Sequence, residues 1–401
     1  MHLLSVINII FAKPFLSYLK TAKKYGYKVV IRLLYPSYSV EELFINVDKL
    51  SPIQQEKVAT PEVKQMNVAK ISKYLQTDEY SLPAIYTVIL VNSLYYPRYD
   101  LILTYEGKVL KETNHIKFHT LKANQILDLI KKATINKFSN LFSLVRQKKI
   151  SGFCSIIRRS EDVKNNHYHT LVDVIPRCYL LNQDEYKNID EIKLLFPSEP
   201  TTIERFFIKK LAPKNIKITV VENPDSLYSL DKLIFPTFMS RLACGYLPSV
   251  YIEYFQNRIL PKRESKKVNR IFISRSKARS RKLLNEQELL DALEPYGFKK
   301  YFIEDMSIEE QIDLFYDADY VIGTHGAGLT NIIFSCRIKV LELFNSEICQ
   351  THYYYLAKSL GHTYGYCNCL EQKKAKRSAD FRMNISEVIE RMLELEKQHQ
   401  H

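Results

Sequence analysis

The chain predicts an α/β protein built from parallel strand–helix–strand units, on three observations. From about residue 152 onward, short apolar runs with strand character alternate with longer amphipathic runs of helical period, and such alternation builds parallel sheets. A charged stretch with a proline, "LPKRESKKVNR" (260–270), breaks that alternation into two regions and reads as an interdomain linker or hinge. Finally, "VIGTHGAGLTN" (321–331) sets three of the ten glycines in a loop that follows one buried strand and precedes another apolar run. A turn of that kind lies at the carboxyl edge of a parallel sheet, where these folds bind ligands.

Taken in order, residues 1–80 read as a helical, irregular N-terminal extension. "AIYTVILV" and "YDLILTYEGKVL" read as strands, the second folding back at Glu106-Gly107. Residues 121–148 return to helical periodicity, and "GFCSII" (152–157) is a strand. "NHYHTLVDVIPRCYLL" (166–181) is helical, with Pro176 predicting a kink or break after its first turns. "EIKLLF", "IKITVV" and "DKLIF" follow as strands, with "TIERFFIKKL" and "PSVYIEYFQNRIL" as helices. Beyond the linker, "RIFISRS" is a strand. Asn285 with Glu288, and Ser307 with Glu310, mark the starts of the next two helices as cap and acidic partner. "KKYFIE", "DYVIG" and "IKVLELF" are strands, "LTNIIF" begins a helix, and "CQTHYYYLAKSLG" is a helix ended by Gly361. Residues 384–398 form an amphipathic helix. This second region has the pattern of a Rossmann-like half.

Composition narrows the function classes. With 46% hydrophobic and 25% charged residues the chain is an ordinary globular protein, neither disordered nor repetitive. A formal net charge of +14 favours anionic partners: nucleic acid, an anionic membrane face or a phosphorylated small molecule. Seven scattered cysteines, several inside apolar runs, read as reduced buried thiols. Cys367 and Cys369 have no second pair nearby, so a structural zinc site is not expected. The apolar start "MHLLSVINIIFAKPF" is too short to cross a bilayer and lacks the flanks of a signal peptide. It reads as a docked core helix or a shallow membrane-surface helix.

Three stretches carry chemistry. The 321–331 loop offers glycines for close backbone approach, helix N–H groups beyond, and His325 as a donor that becomes cationic near phosphate; the alternative is a tight turn with a packing histidine. "ISRSKARSRKLLNE" (273–286) crowds Arg275, Lys277, Arg279, Arg281 and Lys282 at a strand end. Guanidinium groups there suit a diphosphate, which they bind bidentately; the alternative is a solvated basic loop. "NNHYHTLVDVIPR" (165–177) spaces His169, Asp173 and Arg177 on one helical face, and an Asp beside a His makes a general base. A metal held by His167 and His169 is the rival for that stretch, and a purely structural role a third. "DAD" (317–319) reads as helix-end and strand-start residues rather than a metal motif, and "HIKFH" (115–119) as a solvated or partly buried stretch.

Together, "LYYPRYDLILTYEGKVLKET", "NNHYHTLVDVIPRCYLL", "DKLIFPTFMSRLACGYLPSVY", "FISRSKARSRKLLNEQELLDALEPYGF", "IEEQIDLFYDADYVIGTHGAGLTNIIF" and "VLELF" resemble glycosyltransferase family 61. That family includes plant xylosyl- and arabinosyltransferases, animal O-GlcNAc transferases and bacterial capsular-polysaccharide proteins. The resemblance covers roughly residues 84–366. It implies a GT-B-like architecture, two Rossmann-like domains facing across a cleft. The extension would be 1–80, the acceptor-side domain 81–262, and the donor-binding domain with its terminal helix 263–401. It implies an inverting transfer from a nucleotide-sugar, UDP-linked, to a glycan hydroxyl, with no cofactor and no essential metal. Arg275, Arg279 and Arg281 would face the donor diphosphate. His325, the backbone of Gly326, Ala327 and Gly328, and Asn331 would face phosphate and sugar, and Glu342 the donor ribose. The base is sought in the other domain, at His169 or Asp173. One departure is Thr170, which stands where bacterial relatives commonly carry an aromatic residue. The expected setting is surface-polysaccharide synthesis in the cytoplasm or peripherally on the inner membrane face, with a glycan acceptor, a lipid-linked one being one alternative. Two other classes compete: a nucleic-acid-binding protein driven by the charge, and a metal-dependent hydrolase using His167, His169 and Asp173.

Overall fold

The computed structural model describes residues 79–99, 101–104, 148–158, 165–240, 244–345, 350–369 and 379–398, with short strands at Ser37–Tyr38, Leu50–Ile53, Lys57–Ala59 and Val109–Leu110. The apolar start, the Glu106-Gly107 turn, residues 121–147 of the helical stretch, "HIKFH" and Cys349 lie outside the described residues.

Two sheets organise the chain. The first is centred on β1 (Ile85–Tyr96), β2 (Lys148–Ser155), β3 (Ile192–Phe196), β4 (Ile216–Val220) and β5 (Tyr228–Pro236), in the spatial order β1-β5-β2-β3-β4. Strands β5, β2, β3 and β4 run parallel, but β1 pairs antiparallel with β5, and further antiparallel strands build outward from β1. The sheet is therefore mixed, with the expected parallel units confined to one side of β1. Helix α1 (Thr202–Leu211) connects β3 to β4 and starts at a complete capping box of Thr201 and Glu204.

The second sheet is wholly parallel. It contains β6 (Asn269–Ile273), β7 (Phe298–Tyr301), β8 (Ala318–Thr324), β9 (Lys339–Phe344) and β10 (Thr363–Asn368), in the order β7-β6-β8-β9-β10. That is a doubly wound arrangement whose strand order reverses between β6 and β8, and the crevice outside those two carboxyl ends is its natural ligand position. Strand β9 is buried along its whole length, as a parallel strand covered on both faces must be. The sequence pattern missed β10, whose alternation of tyrosine and small polar residues lacks an apolar run.

The longer helices that follow are α2 (Ser249–Ile259), α3 (Glu286–Leu293), α4 (Ile308–Tyr316), α5 (His352–Ser359) and α6 (Ile385–Gln398); α3 and α6 share one core on one face of the second sheet, and α2, α4 and α5 share another core with its opposite face. Ser307 and Glu310 form the expected capping box. Asn285 holds the cap position of α3, but its side chain exchanges two hydrogen bonds with the Met383 backbone, so it ties α3 to the segment before α6 instead of capping. After β8 the chain forms not an α-helix but a tight 3-10 helix, Ala327–Phe334. One apolar core runs across both halves. Phe207 of α1, Phe255 of α2 and Phe334 of the 3-10 helix stack with ring centroids 6.0–6.1 Å apart.

The 260–270 stretch is not a loose linker. Arg263 forks onto the Asp317 carboxylate at 2.6 and 3.0 Å, the Lys266 N–H donates to the same carboxylate, and Ser265 Oγ donates to the Tyr316 carbonyl. Asp317 thus sits at the end of α4 and holds the connection down. Asp319, on β8, accepts from Lys339 at 2.7 Å. Both carboxylates of "DAD" are structural, as the sequence suggests.

Candidate functional site

The glycines of the 321–331 loop are explained by what stands opposite them. Gly323, in β8, pairs with Ile273 on one side and Glu342 on the other. A Cβ on Gly323 would lie 3.1 Å from the Ile273 Cβ, and one on Gly328 would lie 3.2 Å from the Ile273 Cγ2. Gly326 has extended backbone that any residue adopts. Its requirement comes from Arg275: a Cβ there would lie 2.1 Å from a guanidinium nitrogen. The three glycines therefore let the end of β6 and the loop after β8 close on each other, with the Arg275 head group laid against the loop backbone.

Arg275 is largely withdrawn from water, which pulls its pKa down, while Tyr353 and Glu304 nearby oppose that; a guanidinium stays charged at neutral pH regardless. One of its terminal nitrogens donates to the Ser280 carbonyl at 3.3 Å, folding the basic loop back. Its Nε is buried and meets no acceptor among the described residues. An unpaired buried donor of this kind favours a ligand or water. Arg281 is half-buried, held in the left-handed region at φ 60°, and lies close enough to Tyr353 to act on it electrostatically together with Arg275. Arg279 is exposed on the loop, and Lys277 is paired with Asp305. Of the basic cluster, the structure brings Arg275 and Arg281 to the crevice and leaves Arg279 at its rim.

His325 follows β8 directly, and its N–H still bonds the Leu343 carbonyl at 2.9 Å. Residues two apart on a strand share a face, so His325 stands over the row containing Gly323 and Glu342. Its Nδ1 donates to Glu342 Oε1 at 2.5 Å, its ring stacks on Phe344 at 5.4 Å, and its Nε2 lies 2.9 Å from Gln350 Oε1. The Glu342 side chain is 0% exposed, and its second oxygen accepts from Tyr364 Oη at 2.6 Å. Glu342, the residue expected to face the donor ribose, has its two carboxylate oxygens on His325 and Tyr364. A carboxylate that accepts from Nδ1–H fixes the ring's tautomer and turns Nε2 outward. Tyr353 Oη donates to the Gly326 carbonyl at 2.6 Å, which anchors the loop from α5.

The helical run of the first half reaches this loop. It begins as a short α-turn, His167–His169, with Asn166 accepting from the His169 N–H. It then widens into a π-turn, Thr170–Val174, in which the Ile175 N–H bonds the Thr170 carbonyl. Pro176 has no N–H to give the preceding turn; the π-turn ends at Val174 and a separate α-turn, Arg177–Leu180, starts with Pro176 at its N-cap, so the helix is interrupted where the proline predicts. His169 Nδ1 donates to Asp173 Oδ2 at 2.6 Å, as the four-residue spacing predicts. Arg177 does not join them. The π-turn shifts the register, and its guanidinium donates to the carbonyls of Pro236 and Ile157 between the Phe235 and Phe238 rings.

His167 Nε2 bonds Asn331 Oδ1 at 2.8 Å, and Tyr168 packs edge-on against His352 and Tyr353 at 5.0 and 5.7 Å. The two motifs thus meet. Burial lowers the His167 pKa, keeping that ring neutral. Since His167 bonds Asn331 and His169 bonds Asp173, the two histidines do not converge on a shared metal position. Among the described residues no cluster of three or more His, Cys, Asp and Glu side chains could hold a metal ion. Burial pushes the Cys178 and Cys367 thiols up to about 12, so both are inert. No helix among the described residues is long and apolar enough to cross a membrane. Sequence reasoning missed Tyr353, Tyr364, Gln350 and the partner role of His167. Only the charged residue inside the buried run "VLELF" advertised the pairing beneath His325.

Residues 167–340 match the family model described as Glycosyltransferase 61. A beta-1,2-xylosyltransferase from Arabidopsis thaliana is 30% identical over an alignment of 130 residues that covers 29% of this chain and 23% of that relative. The matched region therefore spans about a quarter of the relative's length. The family match includes both His169 with Asp173 and the β6–β8 crevice.

Proposed function

We propose, for a chain whose residues 167–340 form a glycosyltransferase family 61 domain, an inverting transfer of a sugar from a UDP-linked donor to a hydroxyl of a glycan acceptor. The observation that carries this reading is Arg275 laid against Gly326 at the reversal of strand order, with Arg281 and His325 beside it. A crevice with two guanidinium groups and the first N–H groups of a helix suits a diphosphate.

Arg275 and Arg281 hold the two phosphates, and Arg279 reaches in from the rim. His325 presents Nε2 after Gln350 gives way, and the backbone of Gly326, Ala327 and Gly328 approaches phosphate and sugar. Asn331 borders the sugar. Glu342 acts through His325 by fixing its ring. As the glycosidic bond to the diphosphate breaks, negative charge grows on the leaving oxygen, and these fixed donors stabilise it. The positive charge is supplied by side chains, so the reading requires no metal step. His169, oriented by Asp173, accepts the proton of the attacking hydroxyl through Nε2 while the sugar passes through an oxocarbenium-like state. The net charge of +14 suits work at an anionic membrane face, where a surface polysaccharide such as a capsule is assembled on a lipid-linked acceptor.

Calorimetry with UDP, followed by a transfer and hydrolysis screen of nucleotide-sugars, tests the reading. Binding of UDP and turnover of at least one donor are expected. A folded protein that binds no nucleoside diphosphate and turns over no donor would sink it.

A further inference from the structure

We infer that His167 is a positioning residue: it fixes the separation between the base His169 and the diphosphate loop by bonding Asn331 across the two halves of the molecule. The inference rests on the glycosyltransferase reading and assigns a role to a residue that does not itself touch the reacting atoms.

Three observations carry it. The His167–Asn331 bond, 2.8 Å long, joins residues 164 positions apart, and Asn331 is completely buried in the 3-10 helix that continues the glycine loop. The turn bearing His167 is stiff. Asn166 accepts from the His169 N–H at 3.3 Å, the Thr170 N–H returns to the Asn166 carbonyl, and Tyr168 Oη donates to the Cys244 carbonyl at 3.2 Å. His169 sits two residues along that same turn, with Asp173 holding its Nδ1. Moving His167 therefore moves His169. Asn331 Nδ2 meets no partner among the described residues, so His167 is what sets the orientation of that amide. The "H-x-H" pattern divides its labour: the first histidine anchors and the second reacts.

The test measures kcat, donor KM and melting temperature for His167→Ala, His167→Gln, Asn331→Ala and the double alanine variant, using the full chain and whichever nucleotide-sugar the wild type turns over. Misplacing a catalytic group by about 1 Å costs about 100-fold in rate, so His167→Ala should lose about that much kcat with donor KM little changed. His167→Gln, whose amide can donate to Asn331, should recover most of the loss. The double variant should be no slower than the worse single one, as expected for two residues acting through one bond. Folded His167→Ala with an undiminished kcat, a glutamine variant as slow as alanine, or fully additive losses would each overturn the inference. A wild type that turns over no nucleotide-sugar would overturn the underlying reading as well, and is told apart because it is seen before any variant is made.

Discussion

In the β6–β8 crevice the backbone makes the arrangement; in the run from 166 to 180 the side chains do. Three glycines bring two parallel strand ends together, and the strand order alone puts the crevice where it is. Across from it, a turn widened by Pro176 is held in place by His167, Tyr168 and Asp173 through single hydrogen bonds and ring edges. The first device tolerates little change in shape and much in chemistry around it. The second should tolerate the reverse.

The largest expected effect tests the charge in the crevice. Arg275→Ala removes a partly buried guanidinium from the phosphate position, where such a contact contributes about 2–5 kcal/mol, so UDP affinity should fall by a factor of about 30 or more. The fold should be unaffected, because among the described residues the head group's hydrogen bond is to the Ser280 carbonyl within its own basic loop. Calorimetry beside a thermal melt reads both; unchanged UDP affinity would remove Arg275 from its role.

The glycines sharpen the contrast further. Gly326→Ala collides with the far end of a flexible side chain, which can swing away. Stability should hold while UDP binding drops about tenfold, as one displaced charge-assisted hydrogen bond implies. Gly323→Ala meets the Ile273 and Leu329 side chains in a packed core, where overpacking costs about 1–3 kcal/mol, so it should lower the melting temperature instead. If the two substitutions gave the same phenotype, the loop would not be shaped by Arg275.

This difference also explains what the sequence disclosed. Glycines, strand runs and an arginine cluster are local signals, so the second sheet apart from β10, and the 275–328 crevice, were legible in the sequence. So was the His169–Asp173 pair, which needs only helical spacing. Hidden were relations that depend on tertiary placement. Nothing local joins His167 to Asn331, or Tyr353 to the Gly326 carbonyl. Arg177 misled because its four-residue spacing from Asp173 puts it on the His169 face only in a regular helix, whereas the π-turn over Thr170–Val174 rotates later residues to a new face. Strand β1 was read correctly as a strand, but its antiparallel direction is set by the β5 pairing rather than by its own residues.

Pro176→Ala probes the other region. It restores an N–H to the turn and lets a regular helix re-form, which keeps the four-residue spacing of His169 and Asp173 but rotates Arg177 off the Pro236 and Ile157 carbonyls. We expect a lower melting temperature, with kcat and UDP affinity little changed, because the loss falls on a buried guanidinium and not on the His169–Asp173 pair. An unchanged melting temperature would show that the π-turn is not what seats Arg177.

The smallest effect is a pH dependence. Burial lowers the His167 pKa in the fold, with the bond to Asn331 opposing it more weakly. Above the unfolded value near 6.5, the ring is neutral in both states and the pair contributes fully. As pH falls below that, the unfolded chain takes up a proton that the folded chain resists, so stability declines until the folded pKa is passed and then levels off. The wild type should therefore lose melting temperature between pH 7.5 and pH 5.5 more steeply than His167→Gln, which has no ring to protonate. Parallel pH profiles for the two proteins would mean that His167 is not buried against Asn331 in solution, and the side-chain account of that region would fail at its anchor while the glycine account of the crevice stood.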